Sequence, residues 1–147
     1  MSQSEFALIG EALAAGINDG IDGVSTAAHR RKTAAELGTL TEDGWRVDVI
    51  QKFHQTAPAD RSSRFHRYAF DIVFRRRFDP QVDEDAAIDP LCEVVELAED
   101  WLYGLPIAVN ANDVECLETR REPPFDPESL GRGVFLSVIT GVWEVVR

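Results

Sequence analysis

The chain has 147 residues, 44% of them apolar, and a net charge of −11. That length builds one domain with a real core and excludes two independent ones. The acidic balance argues against a dedicated nucleic-acid binder, which neutralises phosphates and is usually basic.

No run reaches the length of a membrane span, and the start MSQSEFALIGEALAAG lacks the basic opening and cleavage site of a signal peptide. The expectation is a protein that stays in the cytoplasm. Cys92 and Cys116 are too few for a disulfide framework and lack metal-site spacing, so both read as small buried hydrophobes.

In chain order, the first element is a helix. Ser2 and Glu5 have capping-box spacing, and Phe6, Ile9, Leu13 and Ile17 share one face. It stops in the turn-forming NDGIDG. Residues 18–44 follow as a long irregular connection, with the basic cluster His29-Arg30-Arg31-Lys32 and weakly apolar positions at Leu37 and Leu40. In WRVDVIQKF, residues 45–53, Trp45, Val47, Val49 and Phe53 alternate with Arg46, Asp48 and Lys52, and Ile50 is the exception. A loop of about eight residues then turns the chain back to make a long hairpin. In its second strand, RYAFDIVFRRRF, Tyr68, Phe70, Ile72 and Phe74 share one face.

After the acidic loop DPQVDEDAAI comes a helix N-capped by Asp89, with Pro90 at its first position and Gly104 and Pro106 ending it. Leu91, Val94, Val95, Ala98 and Leu102 form its buried stripe. A strand over 113–122, the turn-rich PPFDPESLGRG and a last strand over 134–146 complete the chain. The predicted fold is α+β: a mostly antiparallel four-stranded sheet with two helices packed on one face, in the order α-β-β-α-β-β.

Both faces of the last strand are apolar. Leu136, Val138, Val142 and Val146 lie on one, and Phe135, Ile139, Trp143 and Val145 on the other. A monomer should keep its uncovered face polar, so Phe135, Ile139 and Trp143 are expected to form a patch for another subunit. On that reading Trp143→Asp blocks assembly and leaves a folded monomer. Residues 64–77 carry five arginines, Arg64, Arg67, Arg75, Arg76 and Arg77, against the single aspartate Asp71. In so acidic a chain they read as the exposed end of a strand that meets an acidic partner subunit. A nucleic-acid grip would want aromatics interleaved on the same exposed face, and Phe70, Ile72 and Phe74 point to the core instead.

The search for chemistry is negative. The spacing allows His54 and His66 to face each other across the hairpin, but two histidines without a third ligand make a weak metal site. NDGIDG lacks the alternating oxygen ligands of a calcium loop. Glu93, Glu96, Glu99 and Asp100 sit at the spacing of a solvated helix face. There is no P-loop, dinucleotide glycine pattern or nucleophile elbow. The expectation is no enzyme, no metal and no cofactor.

The succession of a short helix, the hairpin WRVDVIQKFH…RFHRYAFDIVFRRRF, the helix DPLCEVVELAEDWLYGL and the final strand GVFLSVITGVWEVVR resembles the tail terminator (tail completion, minor tail protein U-like or neck) proteins of long-tailed bacteriophages, over residues 4–147. The resemblance implies a virion protein without catalytic residues, assembled in the host cytoplasm. It implies a ring, typically of six copies, on the head-proximal end of the tail tube. The partners it implies are other copies of the chain, the tail tube protein and the connector or stopper protein of the head. An acidic bore then passes DNA without specific binding. Two alternatives stay open: a head-completion or stopper protein of the connector, and a small nucleic-acid-binding regulator using the basic hairpin.

Overall fold

In the computed structural model the described residues are 3–24, 27–30, 44–78 and 84–147. The first helix, α1 (Glu5–Gly20), is capped by Ser4, whose hydroxyl accepts the backbone N–H of Ala7 at 3.1 Å. Ser2 lies outside the described residues. The helix buries Ile9, Leu13, Ala14 and Ile17.

The sheet has six strands: β1 (Ala28–Arg30), β2 (Arg46–Pro58), β3 (Arg64–Arg77), β4 (Ile107–Val109), β5 (Asn112–Arg120) and β6 (Val134–Val146). They are ordered β1-β2-β3-β6-β5-β4. β1 runs parallel to β2 and every other pair is antiparallel, so the sheet is mixed and forms a half-barrel. Two further helices complete the described elements, α2 (Glu84–Gly104) and the short α3 (Pro127–Leu130), with Asp126 as its N-cap.

This corrects the expected four-stranded sheet in the order α-β-β-α-β-β. β1 and β4 are three residues each, too short for any alternation to register. β1 lies inside the connection expected to be irregular; Arg31, Lys32, Leu37 and Leu40 of that stretch lie outside the described residues. β4 and β5 join through Asn110 and Ala111, both left-handed at φ 52° and 65°. Two positive φ values define the tight turn whose twist suits a hairpin. Alanine in place of glycine there hides the turn from a sequence reading.

α2 starts before Asp89, so Pro90 sits inside the helix and not at its first position. Proline loses its own N–H bond there. Ile88, buried in the core, holds the preceding turn down. The hairpin loop spans only residues 59–63, because β2 and β3 both continue beyond the expected strand ends. Its connection closes on Asp60, whose Oδ1 accepts the backbone N–H groups of Ser62 and Ser63 at 2.8 and 2.9 Å.

A β-bulge between Gln51 and Phe53 inverts the alternation of β2. Val47 and Val49 point into the core, but Phe53 pairs with Ala69 on the opposite face and is 42% exposed. His54, displaced by the same bulge, pairs with Tyr68.

One face of the sheet, covered by α1 and α2, holds the core. Val47, Val49, Tyr68, Phe70, Ile72, Phe74, Phe135, Ile139, Trp143 and Val145 meet Ile9, Leu13, Ile17, Val95, Ala98 and Leu102 there. Phe135, Ile139 and Trp143 have no exposed surface, which overturns their assignment to a patch between subunits. They face the helices. Gly141 makes room for one of them: an added Cβ would stand 2.4 Å from the Trp143 ring.

Candidate functional site

Since the helices cover the Phe135–Ile139–Trp143 face, the second face of β6 is the one left open among the described elements. It carries Leu136, Val138, Thr140, Val142 and Glu144, all half-buried, and none of its apolar residues belongs to the core cluster. The register sets Val73 beside Val138, Ala69 beside Val142 and Arg75 beside Leu136 on β3. On β2, Asp48 lies opposite Val73 and Ile50 opposite Asp71. With Phe53 beyond the bulge, this outer face is a field of valine, leucine, isoleucine and phenylalanine interrupted by charges.

Those charges bond to one another within the face. Asp48, its side chain 1% exposed, accepts from Arg30 Nε at 2.6 Å and Arg46 Nε at 3.3 Å, with Arg75 Nη2 at 3.9 Å. Asp71 accepts from the Thr140 hydroxyl at 2.7 Å and lies 3.6 Å from Lys52 Nζ. Arg67 Nε donates to Glu144 at 2.8 Å. Charges already paired with one another lose less on leaving water than isolated ones. The face therefore combines apolar side chains with ionic groups bonded to one another, three arginines meeting the single Asp48 carboxylate.

The five arginines of the hairpin do not form one strip. Arg67, Arg75 and Arg77 alternate onto the outer face, whereas Arg64 and Arg76 fall on the other, where Arg76 lies over the Trp45 ring at 5.7 Å. Arg64 and Arg75 are also separated by on the order of 36 Å of extended strand. Arg75 is buried; loss of hydration lowers its pKa, and the Asp48 carboxylate opposes that shift. Its part is in the Asp48 cluster, a correction to the expectation of an exposed strand end. In the sequence Asp48 is only a polar position of an alternating strand, and nothing there marks the cluster it centres.

A second cluster forms near the turn end of the hairpin. The inverted register of β2 stacks His54 on Tyr68, ring centroids 4.4 Å apart and 3° from parallel, and beside His66 at 5.5 Å. His54 Nε2 and His66 Nδ1 are 3.3 Å apart, so one of the two donates. Phe6 of α1 closes the stack edge-on. The Tyr68 hydroxyl donates to Glu5, which also accepts from Arg147 Nε at 3.0 Å. Burial and the Glu5 bond raise the Tyr68 pKa and keep it a phenol.

Burial, followed by the charge of Arg147, pulls His66 below its ordinary 6.5. Protonation is then easier in the unfolded chain, so stability is greatest above pH 6.5 and declines as the pH falls through the lowered value. His66→Gln is expected to flatten this decline, measured as the shift in urea midpoint between about pH 5 and about pH 7.5. An unchanged shift would assign the pH dependence to other groups.

Among the described residues no group of three or more His, Cys, Asp or Glu side chains is placed to hold a metal ion. Cys116 is pushed up to about 11, chiefly by burial, and Cys92 is raised by the same cause, so both thiols stay protonated. No helix among the described residues is long and apolar enough to cross a membrane. Protein-family models and curated proteins yield no match to the chain.

Proposed function

We propose that the chain is a structural virion protein of a tailed bacteriophage. Its copies form a ring at the head-proximal end of the tail tube, ending tube growth and joining the tail to the head connector. The supporting observation is the outer sheet face, which α1 and α2 do not cover: half-buried apolar side chains along β6 lie beside the buried Ala69 and Val73 of β3, and its charged groups bond to one another. The sequence resemblance supplies the setting.

A closed ring needs two different surfaces that meet head to tail. The second is assigned to α2, where Leu97 is 58% exposed and Trp101, one turn on, is 41% exposed. Trp101 is fixed in place, since its indole N–H donates to the Gly16 carbonyl at 3.1 Å. The partners in this reading are other copies of the chain, the tail tube protein and the connector or stopper protein. DNA passes the acidic bore without specific contact.

The test is electron microscopy of the particles made when the gene is silenced. Overlong, headless tubes support the reading. Tails of normal length that fail to join heads move the protein to the connector side, and normal infectious particles refute both. In solution, Val138→Asp and Leu97→Glu are each expected to shift the sedimenting species to the monomer while leaving the circular dichroism spectrum unchanged. Each places a charge in one half of the contact, where desolvating it costs on the order of 2 kcal/mol or more. Assembly unaffected by both variants would remove these faces from the ring.

A further inference from the structure

The hairpin loop, the start of β3 and Arg147 enclose a groove of about 730 Å³ that the ring assembly leaves unused. Its lining includes Arg61, Arg64, Arg147, Ser62, Ser63 and His66. Three guanidinium groups stand against two carboxylates, Asp60 in the lining and Glu5 bonded to Arg147 at 3.0 Å, which leaves one positive charge in a chain of net charge −11. Asp60 is engaged inside the turn, holding the Ser62 and Ser63 N–H groups and the Ser62 hydroxyl. These bonds lower the Asp60 pKa and hold its carboxylate against the turn backbone. The groove is also built on a fixed floor. The backbones of Arg64 and Arg147 exchange two hydrogen bonds at 2.8 and 3.0 Å, and His66 is buried behind them against His54.

We propose that this groove binds a doubly charged tetrahedral oxyanion, the group shared by sulfate and a phosphate monoester, with Arg61, Arg64 and Arg147 supplying the charge and His66 an N–H donor. Guanidinium groups recognise such oxyanions through paired N–H donors. Protonation makes both ring nitrogens of His66 donors, so anion and proton should bind together. The groups that face His66 set the balance. His54 on β2, Arg64 on β3 and Arg147 after β6 oppose its protonation, and Glu5 on α1 favours it. Tyr68 holds Glu5, and Asp60 stands across the groove. Burial comes first in holding His66 below its ordinary pKa, and a bound dianion offsets the arginine charges that add to it.

The experiment is a sulfate titration of the full chain followed by NMR at the Ser62 and Ser63 amides and the His66 ring, with sodium chloride at equal ionic strength as the control. Sulfate stays a dianion across the range used, so any pH dependence belongs to the protein. Saturable shifts are expected in sulfate and not in chloride, with millimolar affinity. The apparent pKa of His66 should rise by about one unit in saturating sulfate, with a matching tenfold tighter binding at about pH 5.5 than at about pH 8. Arg64→Gln, at an exposed position, should weaken binding several-fold without affecting the fold; His66→Gln should abolish the pH dependence.

Shifts that match the chloride control, or that survive Arg61→Gln and Arg64→Gln together, overturn the site. Binding that is flat with pH overturns the role of His66. If a short oligonucleotide binds through these arginines while sulfate does not saturate, the groove reads an extended phosphate backbone, and the oxyanion site is refuted.

Discussion

Trp143→Asp is expected to leave no folded protein. Trp143 has no exposed surface, packs edge-to-face on Phe70 with centroids 5.8 Å apart, and pairs across the sheet with Tyr68 on one side and Cys116 on the other. Truncating a buried tryptophan alone removes about 3–5 kcal/mol. An aspartate in its place adds a carboxylate beneath both helices, and among the described residues the indole N–H itself has no hydrogen-bond partner to inherit. Together these are comparable to the whole stability of a domain, about 5–15 kcal/mol. The measurement is near-ultraviolet circular dichroism and limited proteolysis, with Val138→Asp as the control. The control changes the same strand on its other face and should stay folded. A cooperative, protease-resistant Trp143→Asp would mean that α1 and α2 do not cover this face.

Why the sequence favoured the wrong face of β6 follows from the same residues. The strand runs over the very positions whose alternation announces it, 134–146. Alternation separates two faces but does not say which one meets the helices, and here both are apolar. The larger side chains, Phe135 and Trp143, went to the core because α1 and α2 offer the deeper volume to fill. The branched Val138 and Val142 form the open face.

The hairpin was legible for a similar reason: two long, alternating strands around a polar turn. What escaped was one extra residue. The bulge at Gln51 and Phe53 turns Phe53 outward and brings His54 onto Tyr68, and no composition signal marks it. β1 and β4 escaped because three residues carry no period. The end groove and the Asp48 cluster were beyond reach for a further reason. Glu5, Tyr68 and Arg147, or Arg30, Asp48 and Arg75, are distant in sequence and meet only once the register is known.

Asp48 is where a single substitution on the outer face should do most damage. Its carboxylate is the common partner of Arg30, Arg46 and Arg75, and it belongs to the strand that β1 pairs with in parallel. Asp48→Ala removes the carboxylate that accepts from Arg30 and Arg46 and that lies 3.9 Å from the buried Arg75 guanidinium. Loss of one partner of a buried ion pair destabilises by about 3–5 kcal/mol, most of it from the stranded charge and not from the lost attraction. That distinction has its own test. Replacing both partners, Asp48→Val with Arg75→Met, removes the stranded charge and should recover most of the stability lost in Asp48→Ala, read from urea midpoints at constant m-value.

The exposed partner behaves differently. Arg30 is half in water, its side chain 46% exposed, so Arg30→Gln should shift the midpoint little, as surface pairs contribute about 0–1 kcal/mol. Its effect should be local: faster hydrogen exchange at the β1 amides, because the Arg30–Asp48 bond ties that edge strand to β2. If Asp48→Ala proves no worse than Arg30→Gln, the carboxylate is not the point on which the buried arginine depends. The outer face would then be held by its valines alone.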